Sequence, residues 1–240
     1  MSEIKVKDRS VVAPGEVLAE GLDFLPSYGT YREGDKIYAS KLGLVNVDGK
    51  VLKLIPLAGK YNPKRGDNII GKVTEILMSG WRIDINCAYS AVLPLKDASS
   101  EYIQKGADLR QYFDMDEYVM ASITNVTSQK LVDLTMKGPG LRKLKGGRVI
   151  EVNPHKVPRV IGKAGSMVSM VKNASNCRIL VGQNGLIWVQ GEPKDEILAI
   201  ETIKKIERES HIAGLTDSIK AFLEEKTGKK VEETENSRGD

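Results

Sequence analysis

Two glycines set three residues apart, Gly162 and Gly165, interrupt an apolar stretch that reads PRVIGKAGSMVSMVKN from Pro158 to Asn173. Glycine reaches backbone conformations that other residues avoid, so the chain can turn sharply at this point. Pro158 can start a short helix before the glycines, and Ser166 is a plausible N-cap for a second helix after them. The stretch therefore predicts two helices joined by a four-residue loop.

The G-x-x-G spacing alone is a weak signal. Glycine supplies 23 of 240 residues, so chance yields the pattern about twice in such a chain. A second copy does occur, from Gly182 to Gly185, between two apolar runs. Because Asn-Gly favours positive φ, this copy is predicted to be a hairpin turn. Only the surrounding elements can separate the two copies.

The elements around the first copy follow the order β-α-α-β-β-α. A strand is predicted at 148–153, the two short helices follow, and a hairpin covers 177–191. The segment 193–209 is predicted to be an amphipathic helix with its apolar side at Ile197, Ile200, Ile203 and Ile206. A last helix is predicted at 214–226, and the polar stretch 227–240 is expected to be disordered.

Positive charge is concentrated in the same region. Residues 141–193 carry nine basic and two acidic side chains, a net charge of +7 within a chain whose net charge is +4. Such clustering is expected of a surface that binds a polyanion, although a solvated lysine-rich face gives the same count.

The preceding residues read as two β-rich parts. The first 60 residues look all-β, with apolar β-branched runs at 35–47 and 50–57 joined by Asp48-Gly49. Five further strands are predicted at 68–78, 81–87, 90–95, 117–126 and 130–136, with a short helix or ordered loop at 96–113. Five strands with an insertion after the third suit an oligonucleotide-binding (OB) barrel. The predicted organisation is an N-terminal β domain at 1–62, an OB barrel at 63–138, a basic glycine-rich linker at 139–146, an α+β domain at 147–210 and an extension at 211–240.

The stretch VIGKAGSMVSMVKNASNCRILV resembles the signature of type I KH domains. In that family the G-x-x-G loop clamps the backbone of about four single-stranded nucleotides. The glycines allow close approach, the N-terminus of the second helix offers free N–H groups, and apolar side chains such as Val160, Ile161, Val168 and Val171 can line a groove for bases. The resemblance implies RNA contacts from Arg159, Ile161, Gly162, Lys163, Ala164, Gly165, Ser166, Lys172 and Arg178, with Arg142 and Lys143 of the basic linker beside them.

The middle block is similar to the S1 type of OB-fold RNA-binding domain. It has the glycine before an aromatic residue in the second strand, Gly80-Trp81, but Pro94-Leu95 replace the usual histidine. Trp81 and Tyr89 are candidate stacking platforms for bases; alternatively, Trp81 is a barrel residue. Candidate phosphate contacts in this block are Lys72, Arg82, Lys96, Arg110 and Lys130.

The order of an N-terminal β domain, an S1 domain and a KH domain resembles the RNA-binding cap subunits of the archaeal RNA exosome. This resemblance implies a cytoplasmic, non-catalytic subunit that binds single-stranded RNA. It further implies that three copies sit at the pore entrance of a ring of RNase PH-like subunits and deliver RNA for 3'-to-5' degradation, with the N-terminal domain docked on the ring.

Two other functions account for less of the sequence. A nuclease would need converging carboxylates, but the densest acidic spot, Asp114 to Glu117, precedes a strand in a solvated loop. Cys87, Cys177, His155 and His211 have no metal-ligand spacing, so neither a metal nor another cofactor is expected. A free-standing RNA-binding or translational regulator with S1 and KH modules leaves the N-terminal β domain unexplained. No secretory signal or membrane span is predicted.

Overall fold

The computed structural model describes residues 3–101, 103–104, 106–210, 212 and 214–228. The chain divides into two compact units, and the division falls between Gly59 and Lys60. The predicted polar tail lies outside the described residues from 229 onward. In the described part of the chain, no helix has the length and apolar character needed to span a bilayer.

The N-terminal unit contains two four-stranded sheets, ordered β1-β3-β6-β5 and β2-β7-β8-β4. Their buried side chains, including Leu18, Ile37, Val45 and Leu52, form one cluster. Alternation along the strands sends every second side chain into this core. The strands are β1 Glu3–Ile4, β2 Val11–Val12, β3 Val17–Glu20, β4 Leu25–Pro26, β5 Thr30–Glu33, β6 Lys36–Ala39, β7 Gly43–Asp48 and β8 Val51–Pro56.

The predicted hairpin at Asp48-Gly49 is confirmed, since β7 pairs with β8 in register from Gly43–Pro56 to Asp48–Val51. The apolar run 35–47 forms two strands: β6 ends at Ala39, and β7 begins at Gly43 in the other sheet. The chain lies close to β8 at Gly43, where a Cβ would lie 2.7 Å from the Ile55 carbonyl oxygen. A chain that crosses between sheets keeps its apolar pattern, so periodicity did not reveal the break.

The second unit begins with a closed five-stranded barrel in the order β13-β11-β10-β9-β12, which closes where β12 pairs with β13. Its strands are β9 Asn68–Leu77, β10 Gly80–Asp84, β11 Ser90–Pro94, β12 Tyr118–Val126 and β13 Val132–Thr135. The insertion after the third strand holds helix α1, Leu95–Ala98, and a 3-10 turn at Leu109–Gln111. The glycine-rich basic stretch contributes β14, Arg142–Leu144, which extends the sheet beside β12.

The C-terminal domain has the predicted order of elements. A three-stranded antiparallel sheet, β15-β17-β16, carries the helices on one face. Ile179, Ile187, Val189, Ile203 and Ile206 are buried between them. The elements are β15 Arg148–Glu151, α2 Val157–Ile161, α3 Ser166–Ser175, β16 Arg178–Val181, β17 Leu186–Gln190, α4 Pro193–Glu209 and α5 Leu215–Thr227. Ile197 departs from the predicted apolar side of α4, since half of it is exposed.

The other face of this sheet packs on the barrel. Trp188 lies in a buried cluster with Ile70, Met120 and Leu144 of the barrel sheet, against which Val149, Leu180 and Leu186 also pack. The Trp188 indole Nε1 donates a hydrogen bond to the Gly146 carbonyl, 2.7 Å away. Barrel and C-terminal domain therefore share a core.

The hairpin turn Gly182–Gly185 joins the two domains by hydrogen bonds. The fully buried Asn184 amide donates to the carbonyl oxygens of Ile70, at 2.7 Å, and Ile85, at 2.9 Å. Its Oδ1 accepts from the Ile70 N–H at 3.2 Å. The Gln183 side-chain oxygen accepts a hydrogen bond from the Asn68 N–H, and the Gln183 N–H donates one to the Asn68 carbonyl. Sequence reasoning identified this turn, but not its partner 114 residues earlier in the chain.

Candidate nucleic-acid interface

The Gly162–Gly165 loop combines three residues with positive φ. Gly162, Ala164 and Gly165 have φ of 77°, 51° and 82°. Gly162 cannot be larger, because a Cβ there would lie 2.7 Å from the Cβ and the backbone nitrogen of Met167. Lys163 and Ala164 are exposed at the loop tip. The sequence GKAG thus forms a tight turn that exposes Lys163 and Ala164 at its tip.

Helix α3 begins immediately after the loop and has no side-chain cap. The N-cap position is Gly165, and Ser166 is already the first helical residue. The prediction that Ser166 caps the helix was therefore wrong, because the second glycine takes the left-handed conformation that ends the loop. A helix N-terminus without a capping side chain leaves amide groups for an anion to bind.

Basic side chains surround this loop without carboxylate partners. Arg159, Lys163 and Arg178 are exposed, and Lys172 is half-buried. None of the four forms an ion pair within the part of the chain that the structure describes. Their charges are therefore not neutralised locally, which leaves them available to phosphates.

The apolar wall beside the loop is narrower than predicted. Val160 and Val171 belong to the domain core and are almost fully buried. Ile161 and Val168 pack only partly against that core. Of the four apolar residues predicted to line a groove for bases, only Ile161 and Val168 can therefore contact a base.

Trp81 is not a stacking platform. Its side chain is 0% exposed inside the barrel. The indole Nε1 donates to the Phe113 carbonyl at 2.9 Å, and its ring meets the Phe113 ring edge-to-face at 5.0 Å between centroids. A base could stack on Trp81 only if the barrel opened, so the alternative of a barrel residue is correct.

Tyr89 and Lys130 precede β11 and β13, which are neighbouring strands of the barrel. These strands run parallel, with Ala91 paired to Val132, and Lys130 takes a positive φ of 64° in the turn before β13. The Tyr89 ring is exposed, and its backbone is held by the Cys87 thiol, which bonds both the Tyr89 N–H and its carbonyl. Burial raises the pKa of that thiol. The barrel thus offers an exposed aromatic ring at Tyr89 and, at Lys130, a cation with no ion-pair partner among the described residues.

The other basic candidates of the barrel divide into paired and unpaired groups. Lys72 binds Asp116 at 2.7 Å, which raises the lysine pKa. Arg82 binds Glu75 at 2.5 Å, and Lys143 binds Glu117 at 2.5 Å. A phosphate would have to displace those carboxylates. Lys96 is 3.9 Å from Asp97 and highly exposed, whereas Arg110 and Arg142 are exposed and have no ion-pair partner among the described residues.

The described residues hold no group of three or more His, Cys, Asp or Glu side chains arranged for a metal ion. Within the acidic stretch Asp114 to Glu117, Asp116 forms an ion pair with Lys72, and Glu117 forms one with Lys143.

Comparison with known proteins covers all three domains. Residues 9–58 match the N-terminal domain of "Exosome RNA binding protein RRP4", residues 60–128 match "RRP4, S1 domain", and residues 147–195 match "KH domain". The chain is 44% identical over 227 residues to exosome complex component Rrp4 of Thermococcus kodakarensis, spanning 93% of this chain and 88% of the relative. The chain belongs to the Rrp4 family of exosome complex components.

Two further Rrp4-family comparisons agree. Exosome complex component Rrp4 of Methanothermus fervidus is 45% identical over 219 residues, which is 91% of this chain and 96% of the relative. The crystal structure of a protein described as RNA-binding in the exosome complex superposes with a TM-score of 0.63 at 32% identity, covering 70% of this chain and 97% of that one. The barrel is thus the S1 domain of this Rrp4-family chain, and the β-α-α-β-β-α unit is its KH domain.

Proposed function

We propose that this chain is a non-catalytic RNA-binding subunit of a cytoplasmic exosome. It binds single-stranded RNA at the entrance of a ring of RNase PH-like subunits, with three copies per ring, and delivers the RNA for 3'-to-5' degradation. The observation that carries the RNA-binding part is the Gly162–Gly165 loop, which joins an uncapped helix N-terminus to unpaired cations. The curated relatives are named as exosome components, which supports the assembly part.

The proposed grip is directed at the RNA backbone. Arg159, Lys163, Lys172 and Arg178 attract phosphates, and the amide groups at the uncapped N-terminus of α3 bind one of them. Ile161 and Val168 offer an apolar wall to the adjacent base, and Tyr89 with Lys130 gives a second contact on the S1 domain. Sequence preference is expected to be modest, because phosphate contacts position the strand without specifying bases. Lys96, Arg110 and Arg142 are the next candidates.

A double substitution at the loop tip tests the clamp. Lys163→Asp with Ala164→Asp places two negative charges where the phosphate would lie, and aspartate tolerates the positive φ of position 164. We expect a large loss of affinity for a fluorescent single-stranded RNA by anisotropy, together with a shallower salt dependence, since each lost phosphate contact removes about 0.7 from the log–log slope. Circular dichroism checks that the variant folds.

The matched control is Lys194→Asp with Ala221→Asp. It makes the same charge change at exposed positions of α4 and α5 in the same domain. If both double variants bound RNA equally, the loop would be structural, and the RNA path would move to the S1 domain or to a partner.

A row of exposed apolar side chains on the N-terminal unit supports docking to the ring. In the sheet β2-β7-β8, Val11 pairs with Leu44, and Leu44 pairs with Ile55. Leu42 and Leu57 continue the same face, where Val11, Leu42, Ile55 and Leu57 are all exposed. We call these five residues the apolar row. Outward strand positions of a soluble sandwich are normally polar, and a contiguous apolar patch marks a protein contact. A free-standing RNA-binding regulator would not require such a protein contact.

Ile55→Glu tests this docking. A buried, unpaired carboxylate at the centre of the apolar row should prevent co-purification with ring subunits while RNA binding by the free chain is retained. The control is Met78→Glu in the S1 domain, where an equally apolar side chain is fully exposed. Retained co-purification of Ile55→Glu would assign docking to another surface.

A further inference from the structure

The N-terminal sandwich has a second outer face that the ring-docking proposal leaves unused. Val17, Tyr38 and Tyr31 are cross-strand neighbours on the outer side of the sheet β1-β3-β6-β5. The cross-strand partners Glu3, Glu20, Lys36 and Glu33 form a second outer row on the same sheet. We call these two rows the tyrosine face. Since the two sheets of a sandwich turn their outer sides in opposite directions, one flat partner cannot cover both this face and the apolar row.

The aromatic part of the tyrosine face is preformed. The rings of Tyr31 and Tyr38 stack with centroids 5.5 Å apart and an angle of 21° between their planes. Tyr31 lies on β5, the last strand of the sheet, and is 43% exposed. Tyr38 therefore supports the Tyr31 ring from one side and leaves ring surface open to solvent. A planar group can stack there without reordering the side chain.

The charges of this face are unbalanced toward negative. Glu20 is bound by both Lys5, at 3.6 Å, and Lys36, at 3.3 Å, and Glu3 is bound by Lys5 at 2.9 Å. Glu33 is exposed and forms no ion pair with any residue that the structure describes. It stands two residues after Tyr31 on the same side of β5. The face thus offers one unpaired carboxylate next to one open aromatic ring.

We propose that the tyrosine face binds an arginine-bearing segment of a protein other than the ring subunits. A guanidinium is the group that meets both features, since its plane stacks on an aromatic ring while its N–H groups bond a carboxylate. A lysine ammonium can satisfy the charge but not the stacking. An RNA base could stack on Tyr31, but its phosphates would be repelled by Glu33. This site is independent of the RNA-binding proposal.

The test is a titration of the full chain, labelled on its tyrosine rings, with the peptide acetyl-Gly-Arg-Gly-Arg-Gly-amide, followed by two-dimensional NMR. The Tyr31 signals are identified by their absence in Tyr31→Phe. We expect them to shift with the arginine peptide and to shift less with the lysine counterpart. In the Tyr31 variants binding is read from the signals of the neighbouring Tyr38 ring. Tyr31→Ala should weaken binding about two- to fivefold, as loss of an exposed cation–π contact does, and Glu33→Gln should weaken it similarly. Tyr31→Phe should bind as wild type.

Tyr28→Ala is the matched control, because Tyr28 is equally exposed in the same unit but its ring is already covered by the Lys41 ammonium at 5.2 Å. Equal responses to the arginine and lysine peptides, an unchanged affinity in Tyr31→Ala, or a Tyr31 shift on adding single-stranded oligouridine would overturn the proposal. So would loss of ring co-purification in Tyr31→Ala, since that would make this the ring-docking face. The outcome of the peptide titrations leaves the RNA-binding proposal unchanged, because the two proposals concern different surfaces.

Discussion

The KH domain contains two loops with the same G-x-x-G spacing, and their surroundings differ in almost every respect. Gly162–Gly165 carries an exposed lysine at its tip, whereas Gly182–Gly185 holds the fully buried Asn184 against the S1 domain. The first loop leaves its cations without carboxylate partners among the described residues, although the Gly162 and Gly165 amides bond to the carbonyls of Pro158 and Gly162. In the second loop, the side chains of Gln183 and Asn184 form hydrogen bonds with the backbone of Asn68, Ile70 and Ile85. The spacing specifies a tight turn, and the environment decides whether the turn binds a ligand or another domain.

The glycines of the two loops are required for different reasons. At Gly165 a Cβ would meet no atom within 4 Å, so only its positive φ requires glycine. At Gly182 a Cβ would lie 2.8 Å from the Ile70 backbone nitrogen, which shows a close approach between domains. Gly165 is thus required for its conformation and Gly182 for a contact.

The largest expected effect is from Asn184→Ala. It removes three hydrogen bonds and leaves buried backbone groups of Ile70 and Ile85 unpaired, each costing about 1–3 kcal/mol. We expect the free energy of unfolding of the S1–KH unit to fall by about 3–5 kcal/mol in urea denaturation. If the free energy of unfolding fell by less than about 1 kcal/mol, water would be replacing the amide, and the second loop would not hold the two domains together.

Gly185→Ala and Gly165→Ala form a pair that sharpens the comparison. Both glycines have positive φ, but a Cβ at 185 would lie 2.4 Å from the Val152 carbonyl oxygen. We expect a loss of about 3 kcal/mol or more for Gly185→Ala and about 1 kcal/mol for Gly165→Ala, measured by thermal unfolding. Equal losses would show that φ alone accounts for both positions.

Gln183→Lys would make the second loop GKNG, close in sequence to the first. The variant loses the acceptor for the Asn68 N–H, so we expect a cost of about 1 kcal/mol in stability. RNA affinity should not rise, because the new lysine adds a charge without an uncapped helix N-terminus beside it. A clear gain by fluorescence anisotropy would contradict the view that environment distinguishes the two loops.

The smallest effect is expected from Ala164→Gly. Ala164 occupies the left-handed region at φ 51° and ψ 27°, which costs an alanine about 1–2 kcal/mol. Glycine removes that strain but loses about 0.4–1 kcal/mol through greater freedom in the unfolded chain. A net gain of about 0.5 kcal/mol should appear as a slightly higher Tm, whereas a destabilised variant would show that the alanine methyl group makes a useful contact.

The sequence predicted most elements because each is encoded locally. The Asp48-Gly49 and Asn184-Gly185 turns, the five barrel strands and helix α4 all have short-range signals. Trp81 was ambiguous because a glycine followed by an aromatic ring looks the same whether the ring points inward or outward. Ser166 was misplaced because serine and glycine both suit an N-cap. The bonds of Asn184 were invisible because their partners are more than 90 residues away along the chain.

The shared core of the S1 and KH domains has a consequence for how the protein can be dissected. A KH fragment cut free at the linker would uncover Trp188, Leu180 and Val149, and would leave the Asn184 amide without its carbonyl partners. Such a fragment would tend to self-associate through this exposed apolar surface. Binding measured on a single isolated domain would then report a surface that the intact chain never presents, so the two domains form the smallest piece worth expressing.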